Sequence, residues 1–418
     1  MNELLRMLRE KGFFYIFGAS TINKIIQFCS GIFLVRFISK NDFGVYSQAQ
    51  NIINIFVLFI GLGTNYALMQ FGSESKDFNE RKSFFKLGLK VSIPFNFFIS
   101  FLIGVYTLSM NISDGKLKVI LISMIFLPMF IYFFEFFQIY FRTSLYNVEF
   151  SRLSMINTIL MFCLSILGAI SIGIFGIVFG NYVAYFISIF IGAYWLYNKG
   201  RMEDSTIKIK NKTKKDFFNY SIISMLSNSI SSFVYLIDIF LIGFLISDSQ
   251  VLASYKTATL IPFALNFIPI SIMTFVYPYF AKNRDNKKWI LKMYKKLQFG
   301  LFVLNFFIML VLVIFAPLII NLLFGTIYMD SIPYFRILSI GYFVASAFRI
   351  PAGNVLSMIK KIKFLFITNC IVGVINIVLD FYLIKNYSAI GASISTLVII
   401  TLTSLIYNIY IYTYLRRK

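Results

Sequence analysis

The sequence predicts an all-α polytopic membrane protein with about twelve transmembrane helices, arranged as two six-helix bundles. Hydrophobic residues make up 59% of the 418 residues and charged residues only 13%, whereas soluble domains carry about 25% charged residues. Apolar runs long enough to cross a bilayer, about twenty residues each, recur from end to end. The polar segments between them alternate between basic and nearly uncharged, as in a chain that crosses a membrane repeatedly.

Each apolar run is interpreted as one helix, because the runs are too long for barrel strands and lack strict alternation. No polar block between them is long enough to fold as a separate domain. The predicted spans are 13–38, 43–71, 84–110, 117–141, 151–173, 175–198, 217–246, 251–280, 290–323, 332–358, 363–384 and 388–414.

Lysine and arginine are concentrated in every second loop. Clusters of basic residues lie at 76–90, 199–216, 282–296 and 360–363. Because basic loops stay on the cytoplasmic side, this pattern predicts cytoplasmic termini and an even number of spans. It assigns the formal net charge of +22 to membrane topology rather than to nucleic-acid binding.

Residues that carry enzyme or metal chemistry are scarce. The chain has no histidine, which is the commonest metal ligand and general base. Cys29, Cys163 and Cys370 lie far apart within apolar segments. The outer loops are short, and no nucleophile or metal motif is present. We therefore expect no catalytic residue, no metal and no cofactor, and a membrane glycosyltransferase, polymerase or ligase is the least favoured class.

The two halves of the chain resemble each other. The turn and helix start at 37–49 resemble those at 245–258, with Tyr46 matching Tyr255. Two further pairs of segments recur at a similar spacing of about half the chain. This pattern is typical of a parallel internal repeat.

The repeat predicts the domain organisation. An N-terminal six-helix lobe occupies 1–198, a cytoplasmic linker occupies 199–216, and a C-terminal six-helix lobe occupies 217–418. In transporters built from such repeats, substrate binds between the repeats, and rocking of the halves gives alternating access.

Ionisable residues inside the predicted spans are the strongest functional signal. A charge at a helix centre costs roughly 2.5–3.5 kcal/mol and usually marks a substrate or ion pathway. The cations that we predict to bind substrate are Lys24, Arg36, Lys256 and Arg349. Since arginine and lysine bind phosphate groups, their surplus over carboxylates suggests an anionic substrate.

The carboxylates inside the spans are Glu135, Asp238 and Asp380. Because histidine is absent, these three are the candidates for coupling to a proton or sodium gradient. Alternatives stay open for several residues. Arg36 and Lys256 are close enough to a helix end to snorkel, and Glu135 and Asp380 could be structural partners of a basic residue.

Short motifs carry a family resemblance, and they lie at 38–49, 61–64, 255–258, 355–361 and 386–392. They resemble the polysaccharide biosynthesis protein family, which comprises the O-antigen and exopolysaccharide repeat-unit flippases of the MOP exporter superfamily. The resemblance covers nearly the whole chain and implies a MOP-type transporter fold with a central, often cationic cavity. Peptidoglycan-precursor flippases of this superfamily usually have two extra helices, which do not follow the predicted twelfth span.

The resemblance implies that the chain moves undecaprenyl-diphosphate-linked oligosaccharide repeat units across the bacterial cytoplasmic membrane. The product would be O-antigen, capsule or exopolysaccharide. The expected partners are the lipid-linked substrate, membrane lipids and the polysaccharide polymerase machinery, with no nucleic acid. The alternative is an antiporter of the same superfamily for another small or lipidic solute. An antiporter for cationic drugs should have a cavity dominated by acidic residues.

Overall fold

A computed structural model of the chain describes residues 13–75, 77–109, 115–198, 209–233, 236–246, 248–283, 286–359 and 361–416. Within these ranges the regular structure is helical and no strand occurs, which confirms the predicted fold class. Residues 199–208 of the predicted linker and both chain ends lie outside the described residues. The chain separates into an N-terminal unit, Met1–Phe233, and a C-terminal unit, Val234–Lys418.

The helices of the N-terminal unit are α1 (Phe13–Phe37), α2 (Lys40–Val57), α3 (Thr64–Glu74), α4 (Phe78–Ser109), α5 (Gly115–Ser123), α6 (Leu127–Thr143), α7 (Asn147–Ile172), α8 (Ile174–Asn198) and α9 (Asn211–Phe233). A 3₁₀ turn, Ile60–Gly63, lies between α2 and α3. Short breaks therefore divide two of the predicted spans of this unit, whereas α4, α7 and α8 are continuous.

The helices of the C-terminal unit are α10 (Ile237–Leu245), α11 (Ser249–Leu265), α12 (Phe267–Lys282), α13 (Lys287–Ile314), α14 (Ala316–Phe324), α15 (Ile332–Val344), α16 (Ile350–Met358) and α17 (Ile362–Arg416). A 3₁₀ turn, Thr326–Ser331, precedes α15. A π-helical turn, Ala345–Arg349, joins α15 to α16. Such π turns inside membrane helices often mark functional positions.

Ten helical stretches among the described residues are long and apolar enough to cross a membrane, so the chain is a multi-pass membrane protein. The count is consistent with twelve spans, because α17 is counted once although its backbone breaks at Ser388 (φ 56°, ψ −144°). That break separates the predicted spans 363–384 and 388–414. The predicted span 217–246 is divided between α9 and α10.

Helix α9 packs within the N-terminal unit, although most of its residues lie in the predicted C-terminal lobe, 217–418. Ser229 donates a 2.8 Å hydrogen bond to the carbonyl oxygen of Leu58. A Cβ atom added to Gly63 would lie 2.3 Å from the carbonyl oxygen of Ser221, so the backbones approach closely there. The predicted lobe boundaries at 198 and 217 stay a prediction.

The predicted span 43–71 is not one continuous helix. Gly61, Leu62 and Gly63 separate α2 from α3, with left-handed φ angles of 60°, 53° and 74°. This conformation costs an L-residue roughly 1–2 kcal/mol, and glycine relieves the cost at two of the three positions. The side chain of Asn96 accepts a 2.8 Å hydrogen bond from the Gly61 N–H, which replaces the missing helical partner.

Glycine residues bring neighbouring spans together in the same way in both units. A Cβ atom added to Gly168 of α7 would lie 2.1 Å from the carbonyl oxygen of Gly176 in α8. A Cβ atom added to Gly391 would lie 2.1 Å from the carbonyl oxygen of Leu383, across the break in α17. Small residues permit such close approach of membrane helices. The fifth and sixth predicted spans thus share a packing detail with the eleventh and twelfth.

Candidate functional site

Two predicted carboxylates meet inside the C-terminal unit. Asp238 lies in the first turn of α10, and Asp380 lies in α17 before the break at Ser388. Asp238 is 9% exposed and Asp380 is 0% exposed. The two carboxyl groups lie close enough to interact electrostatically. The fold therefore joins two ionisable groups that are far apart in the sequence.

Three polar side chains hold this pair in place. Thr396 donates a 2.6 Å hydrogen bond to Oδ2 of Asp238, and the Tyr255 hydroxyl donates a 3.0 Å hydrogen bond to the same atom. The amide of Asn376 donates a 2.7 Å hydrogen bond to Oδ2 of Asp380. These five residues form the carboxylate cluster.

The carboxylate cluster has no basic partner in the described part of the chain, where neither aspartate forms an ion pair. Oδ1 of Asp380 is buried and has no hydrogen-bond partner there. Two carboxylates in contact at a buried site cannot both stay ionised unless a cation lies beside them. The cluster can therefore hold a proton, or a small cation that binds carboxylate, hydroxyl and amide oxygens.

A polar cavity of about 440 Å³ lies inside the N-terminal unit, between α1, α2, α6, α7 and α8. Glu135 of α6 lines it, and Oε2 of this residue accepts a 3.0 Å hydrogen bond from the amide of Asn65. Among the described residues, Glu135 also has no basic partner. The polar residues that line the cavity are Gln27, Ser30, Tyr46, Gln50, Glu135, Gln138, Ser154, Asn157, Thr158, Ser165, Asn181 and Tyr185.

One wall of this cavity has an arrangement of polar residues similar to part of the carboxylate cluster, but its residues are neutral. The Tyr46 hydroxyl accepts a 3.4 Å hydrogen bond from the amide of Asn181, and Ser165 donates a 3.0 Å hydrogen bond to Oδ1 of Asn181. These three residues lie in the second, sixth and fifth predicted spans. Their counterparts in the cluster lie in the eighth, twelfth and eleventh. These three spans thus contribute polar residues in both units, and only the eleventh span contributes an acidic one, Asp380.

The four predicted substrate-binding cations are not among the residues that line the cavity. Lys24 and Arg36 are exposed on α1, and Lys256 is half-buried on α11. Arg349 is half-buried at the last residue of the π-helical turn. The binding role of these four residues stays a prediction.

Sequence reasoning missed the neutral polar residues of both sites. Asn376 precedes Asp380 by one helical turn, and Ser154, Asn157 and Ser165 recur along one side of the apolar helix α7. Residues three or four apart lie on the same helix face. A search for polar stripes on apolar spans would have identified these residues, because each stripe is local in sequence.

The sequence matches a known family, while the structural neighbours share the fold at low identity. A family model described as "Polysaccharide biosynthesis protein" matches residues 10–284. No curated protein sequence matches the chain. The structure is similar to that of the lipid II flippase MurJ in an inward closed conformation, with a TM-score of 0.77, 15% identity, and coverage of 95% of this chain and 87% of that one.

Two further solved structures have the same fold. An inward-facing multidrug resistance MATE family transporter of the MOP superfamily gives a TM-score of 0.73 at 13% identity, covering 95% of this chain and 96% of that one. A MOP superfamily transporter from Pyrococcus furiosus, described as having a binding pocket of reverse polarity, gives a TM-score of 0.64 at 14% identity, covering 97% of this chain and 94% of that one. These similarities confirm the MOP-type transporter fold that the motifs imply.

Proposed function

The chain belongs to the polysaccharide biosynthesis protein family, and we propose that it is a flippase for lipid-linked oligosaccharide repeat units. The substrate would be an oligosaccharide on undecaprenyl diphosphate, moved by alternating access across the bacterial cytoplasmic membrane. The observation that carries this proposal is that a sequence of a polysaccharide family has a transporter fold. A protein named as a flippase of lipid II has a similar fold.

In a flippase of this kind, the four predicted cations would bind the negatively charged part of the substrate. A diphosphate cannot enter hydrocarbon without partners, because an isolated charge there is strongly unfavourable. Arginine and lysine form the strongest hydrogen bonds to phosphate oxygens. We assign Lys24, Arg36, Lys256 and Arg349 to the binding of the diphosphate and of any acidic sugar.

The carboxylate cluster is the site that we propose for coupling transport to an ion gradient. We assign Asp238 and Asp380 to the binding of H⁺ or Na⁺, since they are buried, in contact and without a basic partner in the described residues. A bound cation changes the net charge of the cluster, and a ligand drives a conformational change only when it binds one state more tightly. Glu135 is the second candidate for this role, because it is the acidic residue of the cavity lining.

A second function is favoured by one observation. The cavity of the N-terminal unit contains Glu135 and none of the four cations, which suits a neutral or cationic solute better than an anion. An antiporter for a small or lipidic solute of that charge is therefore the alternative. We favour the flippase because the family match points to polysaccharide assembly.

The remaining expectations follow from the flippase proposal. The chain would act without catalysis, with its termini in the cytoplasm, and would deliver substrate to a polysaccharide polymerase on the outer side. The polysaccharide assembled after this transport step would be O-antigen, capsule or exopolysaccharide.

A deletion strain tests the proposal when lipid-linked repeat units and surface glycan are scored together. A flippase predicts that lipid-linked units accumulate on the inner leaflet while surface glycan is lost, and that the wild-type gene restores both. Loss of surface glycan without a lipid-linked intermediate would instead indicate a step in synthesis. Unchanged glycan together with altered resistance to organic cations would favour the antiporter.

A further inference from the structure

We propose that the cavity of the N-terminal unit binds an uncharged sugar ring of the substrate, while the diphosphate binds elsewhere. This inference rests on the proposed flippase function and makes it more specific, since it separates the recognition of sugar from that of phosphate. Four observations carry it: the chemistry of the lining, two unpaired polar atoms, an aromatic wall and the sign of the charge.

The lining is rich in amide groups, which suit hydroxyl ligands. Gln27, Gln50, Gln138, Asn157 and Asn181 all line the cavity, with serine, threonine and tyrosine hydroxyls between them. An amide offers both donors and acceptors, and a sugar hydroxyl needs one of each. A phosphate oxygen only accepts and is best bound by cations. The lining therefore matches a ring with several hydroxyl groups and not a diphosphate.

Two lining residues hold a buried polar atom that has no hydrogen-bond partner within the described residues. Nε2 of Gln138 is an unpaired donor, and Oδ1 of Asn157 is an unpaired acceptor. Asn157 is only 6% exposed, and its Nδ2 contacts the sulfur of Met161 at 3.5 Å, a weak acceptor. Unpaired buried groups are unfavourable. A rotation of either amide toward a bound hydroxyl group would provide the missing bond.

The cavity also has an aromatic wall and a suitable size. Phe134 and Tyr185 both line it, and their ring centroids lie 5.6 Å apart at an angle of 59°. The C–H face of a sugar ring packs against such rings, while its hydroxyl edge meets the amides. A volume of about 440 Å³ lies in the lower part of the range of small-molecule sites, roughly 300–1,000 Å³. It accommodates one or two sugar rings and is too small for a long polyprenyl chain.

The charge of the lining decides which sugars fit. Glu135 is the charged residue of the lining, and none of the four predicted cations belongs to it. Like charges at close range are unfavourable in a low-dielectric site. A uronic acid is therefore disfavoured, while neutral hexoses and N-acetylated amino sugars fit.

The experiment uses short-chain probes with the purified full-length protein in detergent. Equilibrium binding is measured for farnesyl diphosphate, farnesyl-diphospho-glucose and farnesyl-diphospho-glucuronic acid. We expect the glucose probe to bind at least tenfold more tightly than the sugar-free probe. Asn157→Ala and Gln138→Leu should each remove roughly five- to tenfold of this gain while leaving the affinity for farnesyl diphosphate unchanged. Asn228→Ala, an exposed asparagine of α9, is the matched control and should change neither affinity.

The negative charge of Glu135 predicts a rescue of binding that a merely structural role of this residue would not give. The glucuronic acid probe should bind more weakly than the glucose probe, and Glu135→Gln should reduce that difference. Circular dichroism and thermal unfolding confirm that each variant folds.

The outcomes separate the two proposals. If farnesyl diphosphate binds but glucose adds nothing, or if its gain survives both cavity variants, the cavity is not the sugar site and the flippase proposal stands. If none of the three probes binds the wild type, the proposal of a lipid-diphosphate substrate fails, and the sugar assignment fails with it.

Discussion

If the carboxylate cluster binds the coupling cation, the stability of the folded protein should depend on that cation. Asp380 is fully buried, its Oδ1 has no hydrogen-bond partner in the described residues, and its other oxygen is held by Asn376. In Asp380→Asn the shape of the side chain is kept, but half of the acidic pair is lost. We expect that this variant folds and inserts, and that it no longer responds to the coupling cation.

The magnitude follows from linkage between binding and unfolding. A cation at one hundred times its Kd stabilises the native state by about 2.7 kcal/mol. For a unit of this size, each kcal/mol shifts the unfolding temperature by about 2–4 °C, so the expected shift in the wild type is roughly 5–10 °C. In Asp380→Asn the shift should fall below about 2 °C. Without cation, the variant should unfold no earlier than the wild type, because removing one of two adjacent buried acids relieves their repulsion.

The assay is thermal unfolding of the purified protein in sodium, lithium and choline salts of equal ionic strength, between mildly acidic and neutral pH. Asp42→Asn is the matched control, because Asp42 is a partly exposed carboxylate that pairs with Lys116. It should keep the full cation response. A response of normal size in Asp380→Asn would refute the assignment, and so would a wild type that neither sodium nor acid stabilises.

Two further predictions concern the predicted cations and the packing of the helices. Lys24→Ala and Arg349→Ala should each reduce surface glycan at least tenfold in a complemented deletion strain, while the protein level in the membrane stays normal; normal glycan in both would remove these residues from the binding site. Gly168→Ala should lower the free energy of unfolding by about 1–3 kcal/mol, the usual cost of overpacking, since its Cβ atom would meet the Gly176 carbonyl oxygen at 2.1 Å. Gly300→Ala is the control, because a Cβ atom added there would meet no atom within 4 Å beyond the adjoining backbone of its own helix. It should leave the unfolding temperature unchanged or raise it slightly.

The fold was predictable because its signals are local. Runs of apolar residues identify membrane helices without any knowledge of their neighbours, and the family motifs add the transporter fold. The break at Ser388 lies at the first residue of the predicted twelfth span, so both adjoining spans could be identified from the sequence. The break at 61–63 was missed, because Gly61 and Gly63 lie in an apolar run and only the contact with Asn96 reveals their role.

The sites were predictable only in part, because they depend on contacts between distant segments. Buried charge identified Asp238 and Asp380 individually, since ionisable residues are rare in apolar spans. Their contact with each other joins two helices far apart in sequence, which no local pattern shows. A basic partner of Asp380, the alternative that the sequence leaves open, does not occur among the described residues, where the amide of Asn376 donates to its carboxylate instead.

The two units place polar residues at corresponding positions but differ in charge there, as the carboxylate cluster and the cavity show. Each unit places a tyrosine from its second span beside polar residues of its fifth and sixth spans. In the C-terminal unit Asp238 and Asp380 lie beside this tyrosine. Two buried acids in contact favour binding of a proton or a cation, because two negative charges at close range repel each other. In the N-terminal unit the corresponding tyrosine and amide are neutral, and they line a cavity of amides that also contains the carboxylate of Glu135. Under the two proposals, cation coupling requires buried acids and recognition of a neutral sugar requires amides, and the two units differ at these positions in that sense.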